Sequence, residues 1–218
     1  MPDVTTLFVA MAGREPRGRD AEYLAWHALD HRPEIHRLAA LRGAQRLVST
    51  PACRAARAAS EDPYDGVDHV MTYLFADPGA VTELGGLAKT LAEAGRMSWR
   101  LPSVEVGTYD LAGTAAAGRL DVSAAVLPWR PVTGVYLLVE RGEASAGSLT
   151  DVAGVAGAWW ARTEGRQITY CYLDGDPLAT AEALRPVLAE RWAGGDAVPL
   201  LAAPFLVPVD FAWDRHLP

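Results

Sequence analysis

"VTTLFVAM" at residues 4–11 and "VTGVYLLV" at 132–139 are one short phrase written twice in a chain of 218 residues, 128 positions apart. Both are rich in β-branched and other apolar residues, the composition of a strand on a partly buried surface. Two further pairs keep the order: "LRGAQRLVS" at 41–49 with "VAGAWWART" at 155–163, and "MTYLFADP" at 71–78 with "YCYLDGDP" at 170–177. The offset shrinks from 128 to 114 to 99, so the second copy reads as a shortened version of the first. Self-similarity of this kind frames the fold before any single element is assigned.

The first copy reads as a strand at 4–12, a helix at 20–40 opening after Asp20 as N-cap, strands at 43–50 and 67–76, a helix at 80–96 weakened by Gly85 and Gly86, and a strand at 103–111. That β-α-β-β-α-β order is ferredoxin-like. The second copy reads as strands at 132–140, 155–163 and 167–174, a helix at 178–193 and a last strand at 204–211. Pro186 predicts a kink or a late start in that helix. Only the Gly/Ser-rich stretch 142–154 separates the first two strands of this copy, so its first helix is lost or cut to a turn. Residues 50–66 have no counterpart and read as an insertion or loop, and 112–131 as a linker. The expected organisation is an α+β chain of two ferredoxin-like halves in tandem, 1–111 and 132–218.

Half of the residues are hydrophobic, enough for a sizeable core. A net charge of −7 argues against nucleic acid, whose phosphates need a basic footprint. Arg14, Arg17, Arg19, Arg54 and Arg57 are scattered and read as solvated surface. No run approaches the ~20 apolar residues that span a bilayer, and the N-terminus lacks a signal-peptide pattern. Cys53 and Cys171 match no metal or redox spacing, which predicts a reduced, cytoplasmic protein. No phosphate-binding loop or nucleophile elbow is present, and no bound cofactor or metal is expected.

"EYLAWHALDHRPEIHRL" at 22–38 holds three of the five histidines. His27 and His31 fall on one helix face at i, i+4. Pro33 predicts a second short helix, placing His31 at the end of the first, where imidazolium suits the negative helix terminus. The competing reading makes His31 a general acid/base held by Asp30 or Glu34 over a pocket between helix and sheet, with His27 as a second polar group. His36 is expected to be exposed, and His69 and His216 incidental. Arg46 either holds a carboxylate or phenolate in the pocket or pairs with Glu34 or Asp30. Met71, Tyr73 and Phe75 share one strand face, and Tyr170 and Tyr172 are expected on the equivalent face of the second copy. Together with Trp26, Trp159 and Trp160 they form either core or a pocket for a flat apolar ligand.

The run "AWHALDHRPEIHRLAALRGAQRLVS", followed by "HVMTYLF", resembles the EthD-like branch of the dimeric α/β-barrel superfamily. Trp26, Asp30, His31, Pro33, Glu34, Gly43, Arg46 and Tyr73 fall on its pattern, while His27 stands where Tyr is usual and Arg32 replaces a hydrophobic residue. The resemblance implies two sheets packed face to face as a barrel with helices outside, closed within one chain or by a homodimer. It also implies a cofactor-independent enzyme of monooxygenase, cyclase or isomerase type acting on a small hydrophobic or aromatic compound. In that reading His31, Asp30 and His27 are catalytic, and Trp26, Glu34, Arg46 and Tyr73 bind substrate. A non-catalytic ligand-binding or structural protein is the alternative, and haem or metal binding through His27 and His31 a third.

Overall fold

The computed structural model describes residues 3–97 and 99–217. Its first half contains β1 (Thr6–Ala12), α1 (Asp20–Trp26) leading through a π turn (His27–His31) into α2 (Arg32–Ile35), and β2 (Leu41–Val48). It continues with α3 (Pro51–Ala55), β3 (Ala59–Ser60), β4 (His69–Phe75), α4 (Ala80–Glu93) and β5 (Ser103–Ala116). The second half contains β6 (Gly134–Gly142), β7 (Val155–Thr163), β8 (Arg166–Leu173), α5 (Pro177–Ala193) and β9 (Ala197–Leu206).

Two ferredoxin-like halves lie in tandem, with strand order β2-β4-β1-β5 in the first and β7-β8-β6-β9 in the second. Pairing of β5 with β7 joins them, and the single pair Val48–Leu206 closes the antiparallel sheet into a barrel. Alternation along the strands sends Leu7, Val9 and Met11 of β1 inward, to meet Val135, Leu137 and Val139 of β6 and Trp159 of β7. The other face of the first half carries Met71, Tyr73 and Phe75, packed with Leu84 of α4 and Ile35 of α2.

Two of the three repeat matches keep their facing: Leu7 and Val135 both point inward, as do Leu47 and Ala161. Matching bulges interrupt the register at Leu41/Gly43 and Val155/Gly157. The third match is one residue out. Tyr170 and Tyr172 face the barrel interior, where the Tyr170 hydroxyl lies 2.7 Å from that of Thr72, and not the helix side that Tyr73 occupies. A one-residue slip in a strand exchanges its faces, so the true partner of Tyr170 is Thr72.

Other boundaries also move. The last strand is β9, not 204–211. Its prolines disguise it, but Pro199 falls at a bulge against Glu140, and Pro204 lies between the residues that pair with β3 and β2. Asp176 caps α5 by accepting from the N–H groups of Leu178 and Ala179, so the helix starts at Pro177 and runs past the exposed Pro186. β5 extends to Ala116, into the stretch expected as linker.

Between β6 and β7 stands only a short 3₁₀ turn at Gly147–Asp151, so the second half lacks the first helix. The unmatched 50–66 segment makes up part of that loss. Its Ala56, Ala58 and Ala59 pack against the outer face of the second half, which Tyr136, Leu138, Leu184 and Leu188 fill. Arg185 of α5 donates to the carbonyls of Ala56 and Arg57, and β3 pairs with β9.

Candidate functional site

The helical run does not stop before Pro33. Proline has no N–H and its ring clashes with the carbonyl four residues back, here that of Leu29. The chain absorbs this by widening into the π turn His27–His31, in which the N–H of Arg32 bonds the carbonyl of His27. His31 therefore lies within the run and does not cap its end. The wide turn brings the rings of His27 and His31 to 5.4 Å, and Trp26 stacks on His31 at 5.2 Å and 20°.

At the other end of the run, Asp20 is the first helical residue and not the N-cap. Its carboxylate accepts from the Glu15 N–H and lies 2.6 Å from His69 Nε2. His69, expected to be incidental, is fully buried and ties the start of α1 to β4. Burial raises the Asp20 pKa, but the bonds from His69 and the Glu15 amide outweigh it, and the carboxyl is held below its ordinary value.

Beneath the run is a cavity of ≈ 280 Å³ bounded by the helix-facing side of the sheet and by α4. Tyr23, Trp26, His27 and His31 form its roof, Phe8, Met71, Tyr73 and Arg46 its floor, and Leu84, Gly85 and Trp99 its far side. Its wall is mainly apolar, with the imidazoles, phenols and guanidinium as the polar exceptions. His27 is 4% exposed, with Nε2 3.3 Å from the Tyr73 hydroxyl. Arg46 Nη2 donates to the Tyr23 hydroxyl at 2.9 Å. His31 Nδ1 is buried without a hydrogen-bond partner.

Burial, and then the positive field of Arg46, hold both imidazoles below their ordinary pKa, His27 the more strongly. Asp30 pulls His31 partly back up. Near pH 7 both rings are neutral, and a neutral imidazole can accept a proton. Burial pushes the Tyr73 phenol well up, so it stays protonated.

Of the residues singled out in the sequence, Trp26, His27, His31, Arg46 and Tyr73 line this one space. Asp30 and Glu34 do not. Both accept from Arg96, and Glu34 also from Arg37, at the surface. No hydrogen bond joins either carboxylate to His31 or Arg46 among the described residues, so the expected orienting role gives way to an ion cluster tying the π turn to the end of α4. His36 is exposed, as expected. Sequence reasoning passed over Tyr23 and Trp99. Tyr23 was legible, since 23, 27 and 31 make an i, i+4 series; Trp99 lies on an irregular segment with no period to reveal it.

No family model matches the chain, and no curated protein matches it. Among solved structures it is similar to a dye-decolorizing protein from V. cholerae, at 11% identity and a TM-score of 0.50, over 99% of this chain and 97% of that one. It is also similar to a variant of Rhodococcus jostii RHA1 DypB in complex with heme, at 12% and 0.51, over 99% and 96%. An anthrone oxidase-like protein matches at 12% and 0.47, over 94% and 92%. The first two share the α+β barrel-like, ferredoxin-type architecture, and at such identity the likeness is one of fold. At ≈ 280 Å³ the cavity lies just below the roughly 300–1,000 Å³ usual for small-molecule sites.

Proposed function

We propose that the protein is a cofactor-independent enzyme acting on a small aromatic or hydrophobic compound bound beneath the 20–35 helical run. The observation that carries this reading is the convergence of His27, His31, Arg46 and Tyr73 on one apolar, aromatic-walled cavity. A mainly apolar pocket with a few convergent polar groups, two of them imidazoles of shifted pKa, is the usual make-up of a small-molecule site.

In the proposed step His31 takes a proton from a carbon next to a carbonyl, or from a phenol, and the electron pair stays on the substrate. The resulting enolate or phenolate lies in the field of Arg46, while Trp26 and Tyr73 hold the ring. His27 donates or accepts a hydrogen bond at the polar edge, in concert with Tyr73. Cyclisation or isomerisation can follow from that anion, as can oxygenation with dioxygen as the co-reactant. We also infer a tandem duplication within the EthD-like branch, supported by the matched bulges and strand order of the halves. Two free, buried cysteines are in keeping with a reducing compartment.

Binding is tested with a panel of bicyclic aryl ketones and phenols, read by quenching of tryptophan fluorescence, to which Trp26 and Trp99 at the cavity wall contribute. Gly85 lines the cavity and a Cβ placed there meets nothing within 4 Å, so Gly85→Phe adds bulk at the cavity wall without a clash at Cβ. Saturable quenching that this variant abolishes is the expected result. Wild-type quenching that Gly85→Phe leaves intact would count against the cavity. A non-catalytic binding protein shares this geometry and differs in one respect: it binds such ligands without exchanging their acidic protons.

A further inference from the structure

His27 and Arg46 line two spaces. On their far side is a second chamber of ≈ 290 Å³, bounded by Arg32, by Gln45 of β2, by Arg130 of the 128–132 segment and by Trp213 of the tail. It exists because β2 and β9 meet only at Val48–Leu206. Continuing that register would set Pro208, which has no N–H, opposite Arg46, so the ladder ends and the strands part. The gap is walled by the segment between the halves and by the tail.

The chemistry of this chamber differs from that of the aromatic cavity. Three arginines, Arg32, Arg46 and Arg130, reach its wall, against one carboxylate, that of the exposed Asp210. No ion pair joins Asp210 to any of the three among the described residues. Arg46 is 8% exposed, its Nε is buried without a partner, and no carboxylate of the described residues pairs with it. Arg130 reaches Asp174 with Nη2 at 3.6 Å, but its Nη1 is likewise buried without a partner. A buried guanidinium without its counter-charge is strongly unfavourable, and the planar fork matches a carboxylate.

We propose that this chamber is a binding site for an organic carboxylate, held by Arg46 and Arg130 with Arg32 at its rim. The carboxylate is either that of a separate small acid or an acidic substituent of the ring compound in the adjoining cavity. Calorimetric titration with propionate, 2-naphthoate and 2-naphthylmethanol distinguishes these sources and separates the chamber from the aromatic cavity.

If the acid is a substituent, 2-naphthoate binds about tenfold or more tightly than the alcohol, and Arg130→Gln removes that difference while leaving the alcohol's affinity unchanged. If it is separate, propionate binds alone and Arg130→Gln weakens it by the same factor. Asp174 keeps Arg119 as a partner in that variant, and Arg32→Gln provides a second change with the same expected direction. Equal affinities for naphthoate and the alcohol, with no binding of propionate, would overturn the proposal and leave the aromatic cavity standing. Binding of propionate with neither naphthyl compound would support the chamber and count against the cavity.

Discussion

Arg46 carries a full charge into a place where its Nε finds no partner and its Nη2 reaches only a phenol. Removing a charge held so poorly costs the fold little, because the desolvation it imposes goes with it. Arg46→Met is therefore expected to hold stability within about 1 kcal/mol of wild type, or to raise it, in urea unfolding. The same substitution lifts the field that depresses His27 and His31, so both imidazoles should titrate at higher pH in an NMR titration. An acid sensitivity follows from these rings. Their folded pKa values lie below the ordinary 6.5, so below pH 6.5 the unfolded chain takes up protons that the folded one refuses. The contribution is complete above 6.5 and is lost as pH falls toward the folded values. Urea midpoints should thus be lower at pH 5 than at pH 7.5, and His27→Gln should flatten that dependence.

At the scale of elements, α4 includes Gly85 and Gly86, two poor helix residues with open space where a Cβ would go. Gly86→Ala should stabilise by about 1 kcal/mol through helix propensity alone, measured as a higher urea midpoint with unchanged slope. The strand seam behaves oppositely. An added Cβ at Gly113 would lie 2.2 Å from the Trp160 ring across the β5–β7 pairing, so Gly113→Ala should cost about 1–3 kcal/mol. The elements that sequence revealed best were those with a clear period: β1, β4, β6, β8 and the His27–His31 pair on one helix face. β9 stayed hidden because Pro199 and Pro204 look like breakers until the bulge and the gap that tolerate them are known. The π turn stayed hidden because Pro33 signals a break, and only the packed helix decides to widen instead.

Across the whole molecule, the two ferredoxin-like halves were legible because two short strand matches preserve both order and facing, and order alone specifies how ferredoxin-like strands pair. What was not legible comes from segments without periodicity. Trp99, the 128–132 segment and the 207–213 tail take their places only through tertiary packing, and between them they help to wall both cavities. The covering of the shortened half by residues 56–59 is likewise a three-dimensional fact, since insertion and deletion compensate across the barrel and not along the chain. The central claim is that the space beneath residues 20–35 holds a ligand whose proton His31 removes. Its most direct measurement is deuterium exchange at the carbon next to the carbonyl of a bicyclic aryl ketone in D₂O, followed by NMR. Wild-type protein should accelerate the exchange over buffer, and His31→Gln should lose at least tenfold of that acceleration while still binding the ketone, since general-base groups contribute roughly 10²–10⁴-fold. Binding with no acceleration, or acceleration that His31→Gln leaves untouched, would contradict the claim.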